Sequence, residues 1–230
     1  MKKMLMSTTA ALEKRAVGFE CPGYATMGNK EDVHIMTDNM KSTGIAAQMG
    51  GPEKLAELVR RGREGDMEAL ETIFIHFRLP LFNLALRYTY NAAVAEDLLQ
   101  DVFLKVFTHI RDLDKDGAFI GWIYRITITT CLTYLRSHKH LKHKSVALDD
   151  VENKLSGGEP RGEKMLAQSI ENALRPLPPR LKSVFLLHDV QGFKHREIAE
   201  ILGCSEGTCK SQLFKARVKI RKHLKSRRVL

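Results

Sequence analysis

The sequence predicts an all-α protein in which two helical domains are joined by a flexible linker. Three observations predict this fold class. Apolar residues recur at helical spacing from Leu55 onward. A polar stretch rich in Gly, Pro and acids, residues 145–163, interrupts that pattern. Beyond it, residues 195–222 contain a short apolar helix, a glycine and a second helix with six Lys and Arg residues.

Residues 1–51 do not fit the helical pattern. They hold seven of the nine methionines and six glycines, with few large apolar residues. The apolar stretch of "MKKMLMSTTAALEKR" is too short and too rich in Thr for a signal peptide. We therefore expect a disordered extension, or translated leader upstream of a start such as Met40 or Met49.

The first domain, residues 52–144, is predicted to open with a helix around Leu55. Asp66 is expected to cap a second helix, which Pro80 breaks or kinks. After a corner at "NAAVAED", the segment "LLQDVFLKVF" directs its Leu, Val and Phe residues inward. Residues 110–119 form a polar loop with Asp and Gly turn chemistry.

A further helix is predicted from Trp122, the single tryptophan. Its middle, residues 126–130, is an unbroken β-branched run that propensity alone would assign to a strand. Two observations favour a helix: the neighbouring segments are helical, and Trp122, Ile126 and Thr130 repeat every four residues.

The second domain, residues 164–230, is predicted to contain four helices. A helix around Ile170 ends at "RPLPPR", and Pro179 starts the next, which runs to about His188. The segment "DVQGF" then turns the chain into a helix-turn-helix. There Gly203 supplies the positive φ of the turn and Ser205 caps the second helix.

The charge of the chain is unevenly distributed. The formal net charge is +10, and from Arg180 to Leu230 thirteen Lys and Arg stand against four Asp and Glu. This excess indicates a polyanionic partner, although charge alone does not separate nucleic acid from an acidic membrane. No run of eighteen apolar residues indicates a membrane span.

The cysteines and clustered histidines are interpreted as structural. The four cysteines show neither a CxxC pair nor a disulfide framework, and Cys204 and Cys209 fall on the apolar side of the helix-turn-helix. We expect reduced core thiols there. The histidines at 138, 140 and 143 do not share one helix face and lie among lysines, so no metal site is predicted.

Three segments of the chain, residues 95–107, 119–126 and 177–217, together resemble the extracytoplasmic-function (ECF) sigma factors, a class of bacterial RNA polymerase specificity subunits. The segment "AEDLLQDVFLKVF" (95–107) is similar to the helix that binds the polymerase clamp. The segment "FIGWIYRI" (119–126) is similar to the signature that leads into the helix reading the −10 element. The segment "LPPRLKSVFLLHDVQGFKHREIAEILGCSEGTCKSQLFKAR" (177–217) is similar to region four, which reads the −35 element.

The resemblance implies which residues carry each interaction. The residues implied to bind polymerase are Asp97, Gln100 and Asp101. Reading of the −35 element falls to Lys210, Ser211, Phe214 and Lys215, with Arg217 as a phosphate partner. Reading of the −10 element and strand opening fall to Asp112, Phe119, Trp122, Arg125, Thr129, Thr133 and Arg136.

Three details of the resemblance stay open at this point. Relatives commonly place an amide-bearing residue where this chain has Thr129 and Thr133, so the identity of its −10 readers is open. Trp122 fits a core anchor that supports the loop at least as well as a base contact. The acidic linker suits a path among the basic walls of the polymerase, and an ordinary solvated linker would look similar.

The expected function is to direct core RNA polymerase to promoters and to assist promoter melting. The implied partners are the clamp and flap of core polymerase, promoter DNA and an anti-sigma factor, with no cofactor and no small-molecule substrate. The alternative within DNA binding is an operator-binding regulator whose N-terminal helices sense a ligand or oligomerise. An enzyme is not expected, because no phosphate loop, nucleophile motif or carboxylate pair is found. The expected location is the cytoplasm.

Overall fold

The computed structural model describes residues 49–142 and 161–226, and the side chains of 49–138 and 168–226 within them. These residues form an all-α fold, which confirms the predicted fold class. The helices are α1 Pro52–Arg63, α2 Met67–Thr89, α3 Ala92–His109, α4 Phe119–Lys142, α5 Arg161–Leu174, α6 Pro179–Phe185, α7 His195–Leu202 and α8 Glu206–Ser226. The predicted linker, residues 145–163, lies almost wholly outside the described residues.

Helix α2 is the centre of the first helical module, α1 to α4. It begins where predicted, because the Asp66 carboxylate accepts hydrogen bonds from the backbone N–H groups of Glu68 and Ala69. It packs against α1, α3 and α4. Pro80 lies inside this helix and does not end it, so the break expected there does not occur.

The corner after α2 is shorter than predicted. Tyr90 takes a left-handed conformation with φ 55°, and the Asn91 side chain accepts a hydrogen bond from the backbone of Val94. Helix α3 therefore begins at Ala92, and most of the "NAAVAED" segment is helical. One left-handed residue and one N-cap are enough to reverse the chain.

Helix α2 is also the described helix that is long and apolar enough to cross a membrane. Its residues Ile73, Phe77, Leu81 and Leu84 are fully buried by neighbouring helices. A bundle whose central helix contacts three others buries apolar side chains on more than one face. Its apolar character is accounted for by that position in the core.

The β-branched run of α4 is helical, as predicted from its neighbours. Ile123, Tyr124 and Ile128 are buried on one side of the helix. The Thr127 hydroxyl, which is also buried, donates a 2.8 Å hydrogen bond to the carbonyl of Ile123. Tertiary burial therefore outweighs the intrinsic strand preference of these residues, which amounts to only about 1 kcal/mol across the whole scale.

The second module contains α5 to α8. Pro179 starts α6, and the chain continues through a π-helical turn over Leu186–Val190 before Gly192 takes φ 77°. Helix α8 packs against α5, α6 and α7. Its inward residues are Cys209, Leu213, Ala216, Ile220 and Leu224.

Met49 belongs to the core of the first module. It lies within the segment predicted as an extension, yet its exposed fraction is 4% and it joins the same apolar cluster as Leu55 and Val59. The core of this module thus includes a residue three positions before the predicted boundary at 52. The rest of that prediction, on residues 1–48, lies outside the described residues.

The two modules contact each other through apolar packing and through polar pairs, two of which are buried. The Tyr124 hydroxyl donates a 2.8 Å hydrogen bond to Gln191, and the Tyr88 hydroxyl lies 2.6 Å from that of Ser183. The Arg87 guanidinium meets Glu171 at 2.8 Å. The described residues of both modules belong to one compact unit. The domain boundaries at 144 and 164 themselves stay a prediction.

Lys182 is a buried cation in α6. Its ammonium donates a 3.2 Å hydrogen bond to the Tyr90 hydroxyl and lies 4.8 Å from the centre of that ring. Burial lowers the pKa of Lys182 from 10.5 to about 8. The folded protein therefore releases this proton at lower pH than the unfolded chain does.

We predict that the release of this proton contributes a rise in the free energy of unfolding as the pH increases from about 8 towards 10.5, measured as a growing difference from a variant that lacks Lys182. In that window the Lys182 side chain holds more protons in the unfolded state than in the folded state, whereas buried groups with raised pKa values, such as the Cys131 thiol, act in the opposite direction in both proteins. The Lys182→Met variant should lack this rise. Urea unfolding of both proteins across the window measures it, and parallel pH profiles would contradict the assignment.

Candidate nucleic-acid and partner interfaces

Helices α7 and α8 form a helix-turn-helix whose turn follows from two residues. Gly203 has φ 63° and ψ 45°, a left-handed conformation that costs glycine little. Ser205 then accepts a 3.1 Å hydrogen bond from the backbone N–H of Thr208 and caps α8. Both roles were predicted, because each depends on local backbone chemistry.

The outer face of α8 carries the predicted −35 residues. Lys210, Ser211, Phe214 and Lys215 are all exposed. Phe214 is 69% exposed, which is unusual for an aromatic side chain and leaves its ring free to contact a partner. Lys210 pairs with Glu206 at 2.7 Å, a surface ion pair of the kind that contributes little to stability.

Arg217, the predicted phosphate partner, is held by an acid in the described structure. Its guanidinium donates two hydrogen bonds to the Asp189 carboxylate, at 3.0 and 2.6 Å. Burial acts to raise the pKa of Asp189, but hydrogen bonds from Arg217 and His188 outweigh it and leave that pKa below its ordinary value. To bind a phosphate, the Arg217 guanidinium would have to give up one or both of its hydrogen bonds to Asp189.

The outward face of α4 carries four of the predicted −10 residues. Arg125, Thr129, Thr133 and Arg136 are exposed and follow one another by four, four and three positions. This spacing places them along one side of the helix. Two guanidinium groups and two hydroxyls can bind phosphates and base edges.

An open cleft of about 420 Å³ lies against this face. It is lined by Lys105, Trp122, Arg125, Ile126, Thr129 and Thr130. The Lys105 ammonium, from α3, donates a 2.9 Å hydrogen bond to the Thr130 hydroxyl. The cleft thus combines an aromatic wall with two cations, a combination that suits a nucleotide.

The prediction that Phe119 belongs to the DNA-binding site is wrong. Its side chain is fully buried, with an exposed fraction of 0%, so it cannot contact DNA from this position. Its ring centre lies 5.5 Å from that of Phe77, edge to face, and 6.0 Å from that of Trp122. Phe119 instead anchors the start of α4 in the core.

The loop before α4 consists of two 3₁₀ turns, Ile110–Asp112 and Asp116–Ala118. Asp112 is exposed and lies 3.0 Å from His109. Asp116 binds Arg63 of α1 at 2.8 Å. This ion pair, together with the buried Leu113, fixes the loop beside Trp122, which is itself half-buried.

The predicted polymerase-binding residues lie on the outward side of α3. Asp97, Gln100 and Asp101 are exposed, while Leu98, Leu99, Val102 and Phe103 face the core. Leu104 lies one turn beyond Gln100 and is 48% exposed. An acidic and amide surface with an exposed leucine beside it is suited to a protein partner.

Three residues of these surfaces were missed by sequence reasoning. Lys105 was assigned to the outside of α3, but helical spacing does not show that it reaches Thr130. Asp189 was assigned to a turn, and its contact with Arg217 spans 28 positions. Leu104 is an apolar residue on the outward side of α3. This departure from the apolar pattern of the helix is the one signal that the sequence offers for any of the three residues.

The structure describes only part of the histidine cluster that the sequence analysis considered as a metal site. Among the residues that the structure describes, no group of three His, Cys, Asp or Glu side chains is placed to hold a metal ion. His138 is exposed and stacks on Tyr134, with ring centres 3.9 Å apart. The side chains at 140 and 143 lie outside the described residues.

Family models match both modules. The model described as Sigma-70 region 2 matches residues 73–141, and the model described as Sigma-70, region 4 matches residues 167–220. Together they cover α2 to α4 and most of α5 to α8. The fold and these two family matches therefore define a sigma factor of the sigma-70 type.

Proteins with similar sequences identify the class of sigma factor more closely. The ECF RNA polymerase sigma-E factor of Escherichia coli K12 is 30% identical over 170 residues, covering 70% of this chain and 88% of that protein. The RNA polymerase sigma-H factor of Pseudomonas aeruginosa is 28% identical over 182 residues, covering 75% and 94%. The chain belongs to the ECF sigma factors, and it directs RNA polymerase to promoters.

Solved structures agree on the fold. CnrH in complex with the cytosolic domain of CnrY matches with a TM-score of 0.58 at 19% identity, covering 75% of this chain and 97% of that one. The sigma factor RpoE in complex with the anti-sigma factor NepR, from Bartonella quintana, matches with a TM-score of 0.53 at 22% identity, covering 67% and 96%.

We predict opposite effects for two phenylalanines. Phe119→Ala removes a buried ring and should lower the free energy of unfolding by about 3–5 kcal/mol. Phe214→Ala removes an exposed ring and should change it by no more than about 0.5 kcal/mol. Urea unfolding monitored by circular dichroism distinguishes them, and equal stability of both variants would contradict the placement of Phe119 in the core.

Proposed function

We propose that the chain uses two separate surfaces in transcription initiation. The acidic and amide face of α3 binds the polymerase clamp, and the basic face of α8 reads the −35 element. The observation that carries this proposal is that Asp97, Gln100 and Asp101 are exposed on one module while Lys210, Ser211, Phe214 and Lys215 are exposed on the other. An operator-binding regulator has no need for the first surface.

We propose that α4 and its cleft bind the −10 element. Arg125, Thr129, Thr133 and Arg136 would contact the DNA along the helix, and Trp122 would form one wall of a site for an unstacked base. The cations Lys105 and Arg125 at the cleft support this proposal, because they can bind the phosphate groups that flank an unstacked base in single-stranded DNA. Asp112 lies on the loop beside the cleft, and Phe119 supports that loop from the core.

For the −35 element, base readout and phosphate binding are divided along α8. Lys210 and Ser211 lie in the first turns of the helix, the part that enters the major groove in a helix-turn-helix. Phe214 supplies an apolar contact and Lys215 a cation. Arg217 would exchange Asp189 for a phosphate, so its contribution is reduced by the ion pair that it gives up.

The chain acts by binding alone in this proposal, without catalysis and in the cytoplasm, where bacterial promoters lie. The clamp and flap of core polymerase are its protein contacts during initiation. An anti-sigma factor is proposed as a further partner, since the structural relatives CnrH and RpoE are each in complex with CnrY or with an anti-sigma factor. Which of the exposed surfaces it covers would be shown by competition with polymerase.

We predict that the two surfaces can be disabled separately in the full chain. Replacing Asp97 and Asp101 with Lys should weaken binding to core polymerase, because both carboxylates would meet the clamp with reversed charge. DNA binding by the free protein should be kept. Fluorescence anisotropy with core polymerase and with promoter DNA measures the two affinities.

Replacing Lys210 and Lys215 with Ala should have the reverse effect. The loss is about 1–3 kcal/mol per base contact, and the salt dependence of DNA binding falls for each phosphate contact removed. Both double variants should fail in promoter-specific run-off transcription. A control with Glu53→Lys and Glu71→Lys reverses two exposed acids on α1 and α2 and should keep activity. Wild-type polymerase binding after the Asp97 and Asp101 changes would favour the operator-binding regulator.

We also propose that residues 145–163 are a linker between semi-independent domains, 52–144 and 164–230. Limited trypsin digestion of the free protein should cut first within this stretch, at Lys154 or Arg161. The two fragments should then elute together in gel filtration, because Tyr124 and Tyr88 hydrogen bond across the modules. Protection of the stretch without any partner would show that it is not a linker.

A further inference from the structure

Two thiols meet in the turn of the helix-turn-helix. The sulfur atoms of Cys204 and Cys209 are 3.3 Å apart. Cys209 is completely buried against the inner face of α8, whereas Cys204 is half-buried at the surface of the turn. Cys131, the other cysteine described, lies buried on α4.

The position of the two cysteines follows from the capping of α8. Because Ser205 is the N-cap and Glu206 the first helical residue, Cys204 directly precedes the cap and Cys209 is the fourth residue of the helix. These are the two positions of a hydrophobic staple, where an apolar residue on either side of the cap closes the helix start. In this chain both halves of the staple carry sulfur.

We propose that Cys204 and Cys209 form an oxidation site, at which a hydroperoxide such as hydrogen peroxide converts the two thiols to a disulfide. With hydrogen peroxide, the sulfur of Cys204 attacks one peroxide oxygen and the O–O bond breaks; the departing hydroxide takes the thiol proton of Cys204 and leaves as water, and Cys204 becomes a sulfenic acid. The sulfur of Cys209 then attacks that of Cys204, the S–O bond breaks, and the departing hydroxide takes the thiol proton of Cys209. Two thiols and one peroxide thus give one disulfide and two waters.

The order of these steps follows from exposure. Cys204 is reached from solvent and reacts with the oxidant first, while Cys209 is enclosed and meets only its neighbour. Burial also raises the pKa of Cys209 to about 12, so its thiol stays neutral and does not compete with Cys204 for the oxidant. Because its sulfur lies 3.3 Å from that of Cys204, Cys209 serves as the resolving cysteine.

Closing the disulfide should displace the start of α8. The sulfurs must approach from 3.3 Å to a bond length of about 2.05 Å, so the turn and the first helical turn move towards each other. Lys210 and Ser211 immediately follow Cys209. Since a recognition surface tolerates shifts of only about 0.5 Å, oxidation should weaken specific DNA binding. This consequence rests on the proposed −35 contacts, whereas disulfide formation does not.

Peptide mapping of the full chain tests the oxidation site. The reduced protein is treated with hydrogen peroxide, freed of it, alkylated and digested with trypsin. Residues 197–210 form one tryptic peptide that contains both cysteines and no other. This peptide should lose the mass of two hydrogen atoms and resist alkylation until dithiothreitol is added. A peptide that stays fully alkylated, or that gains oxygen without forming a disulfide, overturns the proposal.

A matched variant separates the disulfide from other oxidation. Cys204→Ala with Cys209→Val keeps an apolar staple without sulfur, and its thermal unfolding shows whether the turn still folds. Cys204→Ser, at the half-buried position, removes the first thiol only. In neither variant should this peptide lose the mass of two hydrogen atoms. Both variants should direct as much run-off transcription after peroxide treatment as before it.

Transcription tests the consequence for DNA. The protein is oxidised before core polymerase is added, so that the polymerase meets no peroxide. Run-off transcription from a promoter used by the reduced protein should fall several-fold and return after reduction. A disulfide that leaves transcription unchanged overturns the coupling to DNA. Failure of the reduced protein to start at any promoter would instead count against the proposed function.

Discussion

The hydroxyl of Tyr124 lies between the two modules and must find a hydrogen-bond partner, because a buried hydroxyl left unpaired costs about 1–3 kcal/mol. Gln191 of the second module accepts that bond at 2.8 Å, and the ring of Phe193 lies edge-on to the tyrosine with its centre 5.0 Å away. Tyr124 belongs to the buried side of α4. The opposite side of the same helix carries Arg125 and Thr129, so the contact that joins the modules also decides which side of α4 faces solvent.

The same division of one helix into two faces recurs on α8. Cys209 and Leu213 hold it against the second module, and Phe214 and Lys215 lie on the face that is left free. A side chain on either surface is therefore placed by apolar residues one position away along the chain. A substitution at one of these exposed positions is therefore expected to leave the fold intact, because the packed residues beside it do not change.

Sequence reasoning succeeded where the chemistry is local. Gly203 and Ser205 were assigned correctly because a left-handed turn and an N-cap depend on residues a few positions apart. It failed for Phe119, because a motif identifies a residue without showing whether its side chain is buried. The contact of Tyr88 with Ser183 joins residues 95 positions apart, and no periodicity predicts such a pair.

The contacts between the modules combine apolar packing with polar pairs, since residues of both modules share one buried apolar cluster. Tyr124 with Gln191, Tyr88 with Ser183 and Arg87 with Glu171 are polar, and water or a partner can replace each of them. A typical hydrogen bond contributes only about 0.5–1.5 kcal/mol net, because the unpaired groups regain bonds to water once they are exposed. These polar pairs therefore add little free energy to the contact, and the apolar packing of Tyr124 on Phe193 and of the shared core adds more. The described residues of both modules accordingly form one compact unit, in which the buried side of each helix fixes what its exposed side presents.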